Sequence, residues 1–488
     1  MKLGTILEDV EILELAGVDP DTEISGIAAH SKKVRNGNVF ICLKGKNGNG
    51  REYIGEALNC GAAVIVTEEE PPGECSRYIR VPSTRSFWAA AENAAAGRPA
   101  DKLKVVAVTG TNGKSSVTRM LRSIVEADGR KCGEIGTLTG TMTTPDPDVL
   151  YPALAKMAAD GCEYVVMEAS SHALALDKLY PIRFAGAVFT NLTLDHTDFH
   201  GSMEAYGAAK AKLFAMCDMA LVCRDDPGMT ALSDAKKEGR YFYSTSDPDA
   251  DFFARNVRCT TGGFKYELCE KDGGFKISSP LIGAFHAQNS LAAAGMARLL
   301  GFQRGAVKRG ISALNTIDGR MMPVEVKGPK LKAFIDYAHT PDALRAACVS
   351  LRGCMSRGER LTVIFGCGGD RDKSKRPLMG AVAAEYADRA IITADNSRSE
   401  DTYEIIKQII SGMPENSRHL TIADRHAAIA YAVRTASAND VLLFCGKGHE
   451  KYEITAEGAH PFDEAEDIRR AAASRRHASD DPRHNEKY

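Results

Sequence analysis

A chain of 488 residues with 44% hydrophobic and 26% charged side chains has the composition of a globular protein with room for about three domains. Its 62 basic and 64 acidic side chains leave a net charge of -2, which disfavours nucleic acid or an anionic membrane surface as a bulk partner. The 13 cysteines are scattered without a C-x-x-C pair, the usage of reduced thiols in a cytoplasmic protein. Met1–Gly17 lacks the pattern of a signal peptide, and no apolar run approaches the ~18 residues of a membrane span.

In chain order, residues 1–98 form a first α/β unit. Asn38–Leu43 and Ala62–Thr67 have strand character, with a short helix at Ile54–Cys60 between them. The alanine-rich Phe87–Ala96 closes the unit as a helix, and Gly97-Arg-Pro-Ala100 has the composition of a linker. From residue 99 to 317, helices alternate with continuous apolar runs at Lys104–Val108, Tyr164–Met167, Ala187–Phe189 and Ala220–Val222. Runs of this kind predict buried parallel strands. A third unit, 318–488, repeats the doubly wound pattern with strands at Ala333–Ile335, Leu361–Phe365, Arg389–Ile392 and Val441–Phe444. A polar tail after about residue 474 is expected to fray. The fold class is therefore α/β in three domains.

The chemistry is concentrated at strand ends. Val105-Val-Ala-Val-Thr-Gly-Thr-Asn-Gly-Lys-Ser115 is a strand running into a glycine-rich loop, followed by a helix with Val117, Met120, Leu121, Ile124 and Val125 on one face. Gly110 and Gly113 allow a tight turn whose N–H groups face inward, and the helix N-terminus adds partial positive charge. Lys114 can reach terminal phosphate oxygens and Ser115 can ligate magnesium. Val108 stands at the first glycine of the G-x-x-x-x-G-K-[ST] pattern, and an ordinary strand-to-helix turn is the alternative. Glu168 ends a second strand, where a carboxylate holds magnesium in phosphate-loop enzymes; capping of the next helix is the competing role. A third strand ends in Thr190-Asn-Leu-Thr-Leu-Asp-His196, rich in polar groups. Zinc is a poor fit because no Cys/His spacing suits it. Lys210, in the helix Met203–Ala215, is by default a solvated lysine.

Four loops of the third unit follow strands: Asp336-Tyr-Ala-His339-Thr-Pro-Asp342, Gly366-Cys-Gly-Gly-Asp-Arg371-Asp372, Asp395-Asn396-Ser-Arg398 and Gly446-Lys-Gly-His-Glu450. They can converge on one crevice, where Arg371 and Arg398 would grip carboxylates and Glu450 an ammonium. Opposed charges of this kind suit a zwitterionic amino acid.

These motifs, with Glu168-Ala-Ser-Ser-His172 and Asp195-His196, resemble the Mur ligase family over nearly the whole chain, and most closely its MurE branch. The resemblance implies a UDP-binding first domain, a central ATPase of phosphate-loop type and a Rossmann-like third domain carrying the incoming amino acid. It implies ATP-dependent amide ligation onto UDP-N-acetylmuramoyl-L-alanyl-D-glutamate through an acyl phosphate, in peptidoglycan precursor synthesis. ATP contacts would come from Gly110, Thr111, Asn112, Gly113, Lys114, Ser115, Ser116, Asn289, Arg320, Asp336 and His339. Ser115, Glu168, His196 and Lys210, the last carbamylated, would serve Mg2+. Ser31 would face uridine, and Thr143, Thr144, Ser170 and Lys178 the muramoyl dipeptide. The third domain would hold the amino acid with Arg371, Asp395, Asn396, Arg398, Gly446 and Glu450. Arg398 favours meso-diaminopimelate over lysine, and Ser397 in place of proline predicts a looser loop. His30, Leu176, Lys178 and His286 depart from the usual pattern. A cytoplasmic monomer is expected.

Other readings stay open on the sequence. They are a divergent Mur ligase with another acceptor or amino acid, and a non-catalytic paralogue binding nucleotide or UDP-sugar. A folylpolyglutamate synthase would lack the first unit, and a plain phosphate-loop kinase would not need the amino-acid crevice.

Overall fold

The computed structural model describes residues 1–479 apart from 46, 47, 72, 74, 141, 236, 237 and 327–330. Three main sheets follow one another along the chain. The first contains β1 (Glu14–Ala16), β2 (Gly26–Ala28), β3 (Asn38–Ile41), β4 (Val64–Thr67) and β5 (Tyr78–Arg80), in the order β1-β5-β4-β3-β2. Only β1 runs antiparallel to its neighbour. Both predicted strands are fully buried, because helices cover both faces: Ile54–Asn59 on one and Thr84–Ala95 on the other. Arg98, with φ at 52°, closes the unit by donating to Asp9 at 3.0 Å and to the carbonyl of Thr5 at 3.0 Å.

The second sheet holds β6 (Lys104–Thr109), β7 (Cys132–Ile135), β8 (Tyr164–Glu168), β9 (Gly186–Phe189), β10 (Ala220–Cys223), β11 (Arg240–Ser244), β12 (Phe252–Thr260), β13 (Gly263–Glu270) and β14 (Gly273–Ser279). Their order is β14-β13-β12-β11-β10-β9-β6-β8-β7. β6 to β12 are parallel, and the chain reverses direction across the sheet between β6 and β9. Ligands bind at such a switch point, outside the carboxyl ends of the strands.

The four apolar runs are the parallel strands expected, and at the far edge, beyond them, β12, β13 and β14 pair antiparallel. Thr261-Gly262 and Lys271-Asp272 form the tight turns between them, each followed by a glycine at positive φ, Gly263 and Gly273. Phe264, Tyr266 and Leu268 alternate inward, as a one-faced antiparallel strand requires. Glu270 fastens this edge by accepting from Arg298 and Arg304 at 2.9 and 2.8 Å.

The helix Lys114–Ala127 buries Val117, Met120, Leu121, Ile124 and Val125, the predicted face. It packs against Ala284–Leu299 and Arg304–Ala313, and at Gly310 a Cβ would stand 2.4 Å from the Cα of Ile124.

The third sheet holds β15 (Met322–Pro323), β16 (Lys332–Asp336), β17 (Arg360–Phe365), β18 (Arg389–Ile392), β19 (His419–Thr421) and β20 (Asp440–Cys445), in the order β15-β16-β20-β17-β18-β19. Only the short β15 is antiparallel. A hairpin, β21 (Tyr452–Thr455) with β22 (Gly458–Pro461), follows. Two fully buried arginines brace the sheet ends. Arg425 pairs with Glu464 and donates to the carbonyls of Ala394 and Cys445, while Arg376 grips Glu400 and the carbonyl of Gly368. The expected fraying after 474 is corrected as far as 479, because the helix Glu464–Ser479 continues through it; residues 480–488 lie outside the described residues. None of the 13 cysteines is in a disulfide, and among the described residues no helix is long and apolar enough to cross a membrane.

Glu92 lies where the helix Thr84–Ala95 packs on the helix Pro147–Ala159, accepting from the Trp88 indole at 3.2 Å. Burial, with Asp148 nearby, raises its carboxyl to about 7. The folded state then holds a proton between the unfolded value of 4.5 and about 7 that the unfolded chain has lost. That contribution is present in acid and disappears as pH rises through 7. Glu92→Gln is therefore expected to gain in melting temperature relative to the wild type as pH goes from about 5 to about 8. A difference that stays flat or narrows across that range contradicts the assignment.

Candidate active site

The carboxyl ends of β6, β8 and β9 deliver three loops to the switch point. In the first, Gly110 and Gly113 adopt φ of 148° and 90°. A Cβ at Gly110 would stand 1.8 Å from Thr190 Oγ1, and one at Gly113 would stand 2.6 Å from Asn289 Oδ1. Glycine is required at both on conformational and spatial grounds. The loop is stitched to the exit of β9. Thr111 N donates to the Asn191 carbonyl at 2.9 Å, Asn112 N donates to Asn191 Oδ1 at 2.8 Å, and Thr190 Oγ1 donates to the Asn112 carbonyl at 2.5 Å. The amides of Lys114, Ser115 and Ser116 open a helix and have no intrahelical acceptor, the arrangement that receives an anion.

Lys114 Nζ folds over this loop and donates to the carbonyls of Gly110 and Thr111 at 2.9 and 2.8 Å. Burial lowers its pKa, opposed by Glu168 and Asp195. Arg320 reaches across from the third unit: Nη2 donates to Ser115 Oγ at 3.0 Å, and the guanidinium lies 4.8 Å from the Tyr337 ring centre.

Glu168 ends β8 and is 1% exposed. Its carboxylate accepts from Thr137 N at 2.9 Å and Thr137 Oγ1 at 3.2 Å. The helix-capping alternative is excluded, since Ser170 Oγ accepts from Ala173 N and is the cap. Thr143, Thr144 and Ser170 join the same network through Thr137 and the Glu168 backbone. Thr143 Oγ1 lies 2.9 Å from Thr137 Oγ1, Thr144 Oγ1 donates to the Glu168 carbonyl at 2.8 Å, and Ser170 N donates to Thr144 Oγ1 at 3.0 Å. Lys178 pairs with Asp146 at 2.6 Å. Ser31 is buried in a short turn of the first unit, and its neighbour Lys33 reaches Asp148 at 3.4 Å. The Ser31 turn is thus linked to the start of the helix Pro147–Ala159.

His196, at φ 54°, sets its ring 3.4 Å from Asp195 and edge-on to His172 at 4.8 Å. Burial lowers its pKa against the pull of Asp195. The expectation of a solvated Lys210 is corrected: the side chain is 1% exposed, with Nζ 4.6 Å from the Tyr206 ring centre. Among the described residues its amine has no hydrogen-bond or ion-pair partner, and burial together with Lys114 drives its pKa far down. Tyr206 OH lies 3.1 Å from Thr111 Oγ1, which ties this helix to the glycine loop.

The third unit presents its four loops at one end of its sheet. Both oxygens of Asp336 are used on the backbone, by Met321 N at 2.7 Å and Ala338 N at 2.9 Å. Lys375 Nζ donates to the His339 carbonyl at 2.9 Å, while burial lowers the His339 pKa. The Asn396 side chain is a hub: it donates to Glu450 at 2.8 Å and accepts from Ile454 N at 2.9 Å and from Lys447. Lys447 also stands 3.5 Å from Asp395. These bonds brace the residue preceding Ser397. Arg398, at φ 51°, donates to the Gly369 carbonyl at 2.8 Å, and Arg371, exposed, bonds the Asp370 carbonyl at 3.2 Å; a Cβ at Gly368 would meet both side chains, at 3.0 and 3.7 Å. Gly446, at φ 108°, brings its backbone against Asp395, where a Cβ would stand at 2.8 Å. Burial raises the Glu450 carboxyl.

Thr137 was absent from the sequence motifs, because its contact with Glu168 spans 31 residues and follows no local spacing. Tyr206 and Asn191 stood inside quoted motifs, but only their bonds to the glycine loop distinguish them. Lys114→Ala is expected to cut nucleoside triphosphate turnover at least ~10²-fold, measured as phosphate release. Turnover near the wild-type rate would remove Lys114 from the reaction.

Residues 23–99 match the Mur ligase family, catalytic domain; residues 108–297 match the Mur ligase middle domain; residues 319–448 match the Mur ligase, glutamate ligase domain. The chain is 38% identical to a UDP-N-acetylmuramoyl-L-alanyl-D-glutamate--2,6-diaminopimelate ligase of Caldanaerobacter subterraneus subsp. tengcongensis, over 97% of this chain and 99% of that one. A protein of the same name from Geobacillus kaustophilus is 37% identical over 98% of this chain and 100% of its own. A solved structure of a ligase with that name superposes with a TM-score of 0.70 at 30% identity, covering 98% of this chain and 99% of that one. The chain belongs to the Mur ligase family.

Proposed function

We propose that this chain is an ATP-dependent ligase that adds meso-diaminopimelate to UDP-N-acetylmuramoyl-L-alanyl-D-glutamate in peptidoglycan precursor synthesis. The observation that carries the reading is the pairing of an anion-receiving loop, beside Lys114 and Arg320, with a braced crevice of opposed charges in the third unit. Full-length relatives bearing that ligase name support it. In this reading residues 1–98 bind the UDP end through Ser31, 99–317 bind ATP, and 318–488 carry the amino acid. A cytoplasmic monomer goes with it.

The reaction has two steps. The D-glutamyl γ-carboxylate attacks the γ-phosphorus of ATP, ADP leaves, and an acyl phosphate forms. Lys114 and Arg320 offset charge on the phosphate oxygens, while Gly110–Ser116 amides and Asn289 hold the loop around them. Thr143, Thr144, Ser170 and Lys178 orient the acceptor near Glu168. The amine of diaminopimelate then attacks the acyl carbon, and phosphate leaves the tetrahedral intermediate. Asp336 and His339 shape the side of the cleft facing Asp195, and closure of the third unit keeps water from the acyl phosphate. Arg398 and Arg371 take the carboxylates of the amino acid, and Glu450, Asp395, Asn396 and Gly446 form the rest of its pocket.

Magnesium fits these residues. The Ser115 hydroxyl beside the phosphate loop and the buried Glu168 carboxylate are oxygen donors of the kind such an ion takes. Ser115, Glu168 and His196 would hold it. The buried amine of Lys210, whose pKa burial drives far down, would take up carbon dioxide as a carbamate with release of a proton, supplying an anion where the amine has no ion-pair partner among the described residues. The ion would neutralise charge on the transferring phosphoryl group.

The test is phosphate release with ATP, magnesium and UDP-N-acetylmuramoyl-L-Ala-D-Glu, run with meso-diaminopimelate, with L-lysine and with neither, and the product weighed by mass spectrometry. A tripeptide product with diaminopimelate alone is expected. Arg398→Ala is expected to raise KM for diaminopimelate at least about tenfold with KM for ATP little changed. Product with lysine alone, or equal changes in both constants, contradicts the assignment.

A further inference from the structure

We propose that His286 is a positioning residue that sets Arg320 over the phosphate loop. The inference rests on the assignment of Arg320 to the nucleotide made above. Arg320 sits in the connector between the second and third sheets. Besides the local bond from Arg320 N to the Ile317 carbonyl at 3.0 Å, three bonds hold its peptide neighbourhood. Tyr337 N donates to the Gly319 carbonyl at 2.8 Å and Met321 N to Asp336 at 2.7 Å; both partners belong to the third unit. The third bond is different: His286 Nε2 lies 3.1 Å from the Arg320 carbonyl, and His286 belongs to the central helix Ala284–Leu299.

That helix also carries Asn289, three residues on and therefore on the same face, whose Oδ1 closes on Gly113. One rigid element thus touches both the phosphate loop and the arginine that must meet it. The guanidinium is then aimed by the Tyr337 ring on its face and Ser115 Oγ at its tip. Of these constraints, the His286 bond ties the Arg320 backbone to the body that holds the phosphate loop.

The imidazole is fully buried, and among the described residues Nδ1 has no hydrogen-bond partner. A carbonyl accepts at Nε2, so Nε2 carries the hydrogen and Nδ1 is left as an unpaired acceptor. A ring serving only to fill the core would leave that acceptor at a cost for nothing. Its single bond goes to Arg320. The ring lies 4.4 Å from Phe285, at the point where Ala284 N donates to Ser350 Oγ of the third unit at 2.6 Å, so the contact sits at the seam between the two bodies.

Four variants of the full chain test this: His286→Leu, which removes the donor at similar volume; His286→Gln, which restores one; Arg320→Ala; and the Leu/Ala double variant. Steady-state constants for all three substrates and calorimetric binding of ADP are the readouts. His286→Leu is expected to raise KM for ATP and Kd for ADP about tenfold, leaving KM for the UDP-substrate and diaminopimelate within about twofold. His286→Gln is expected to recover most of the loss. The double variant is expected to be no worse toward ATP than Arg320→Ala alone, since the two act as one unit. A Leu variant that shifts only the melting temperature, or all three KM values alike, overturns the proposal; so does full additivity in the double variant. Should His286→Leu not fold, His286→Met is read in its place, and failure of both overturns the proposal in favour of a core role. If Arg320→Ala leaves ATP binding unchanged, the nucleotide assignment of Arg320 is what fails.

Discussion

The exit of β9 is bonded to the glycine loop after β6, and the rest of the site depends on that seam. Thr190 and Asn191 satisfy the amides of Thr111 and Asn112 and the carbonyl of Asn112. With those groups occupied, the free amides are the ones that open the following helix. The helix cannot drift, because Gly310 admits its neighbour to near backbone contact. A parallel sheet places every strand's carboxyl end at one edge, so Glu168 and the Asp195–His196 turn arrive at the same edge without further design.

Electrostatics then set what the seam is for. Lys210 is withdrawn from water, and Lys114 close by helps depress its pKa, while burial and Arg320 depress that of Lys114. Such a concentration of cations is unfavourable in isolation and becomes favourable when anions enter. The third unit is arranged on the opposite plan. Its buried charges are paired internally, Arg376 with Glu400, Arg425 with Glu464 and Lys447 with Asp395. Those pairs stiffen the loops, leaving Arg398 and Glu450 at a crevice that is already formed. One body gathers cations, the other sets opposed charges round a crevice, and the Arg320 connector joins them.

Much of this was legible along the chain. The fully buried strands β3, β4, β6, β8, β17 and β20 announce themselves as uninterrupted apolar runs, because both faces are covered. The antiparallel strands β12 to β14 were not legible as part of that pattern. They alternate polar and apolar residues and have one wet face, so they do not resemble the strands they extend. Lys210 shows the limit most clearly: its flanking sequence is that of an ordinary helix, and only the packing of that helix against the glycine loop, through Tyr206 and Thr111, withdraws its amine from water.

By itself the sequence determined what is local: the glycine loop and its helix, the strand-end motifs, the α/β class and the family. Each depends on residues within a few positions of one another, where backbone geometry and hydrophobic period act directly. Only the tertiary structure decided which distant groups share a charge or a hydrogen bond. Thr137 on Glu168, Asn396 between Lys447 and Glu450, and His286 on the carbonyl of Arg320 are contacts across 31 to 54 residues. Sequence spacing carries no record of them, because the chain between them is free to vary as long as the sheets bring the ends together.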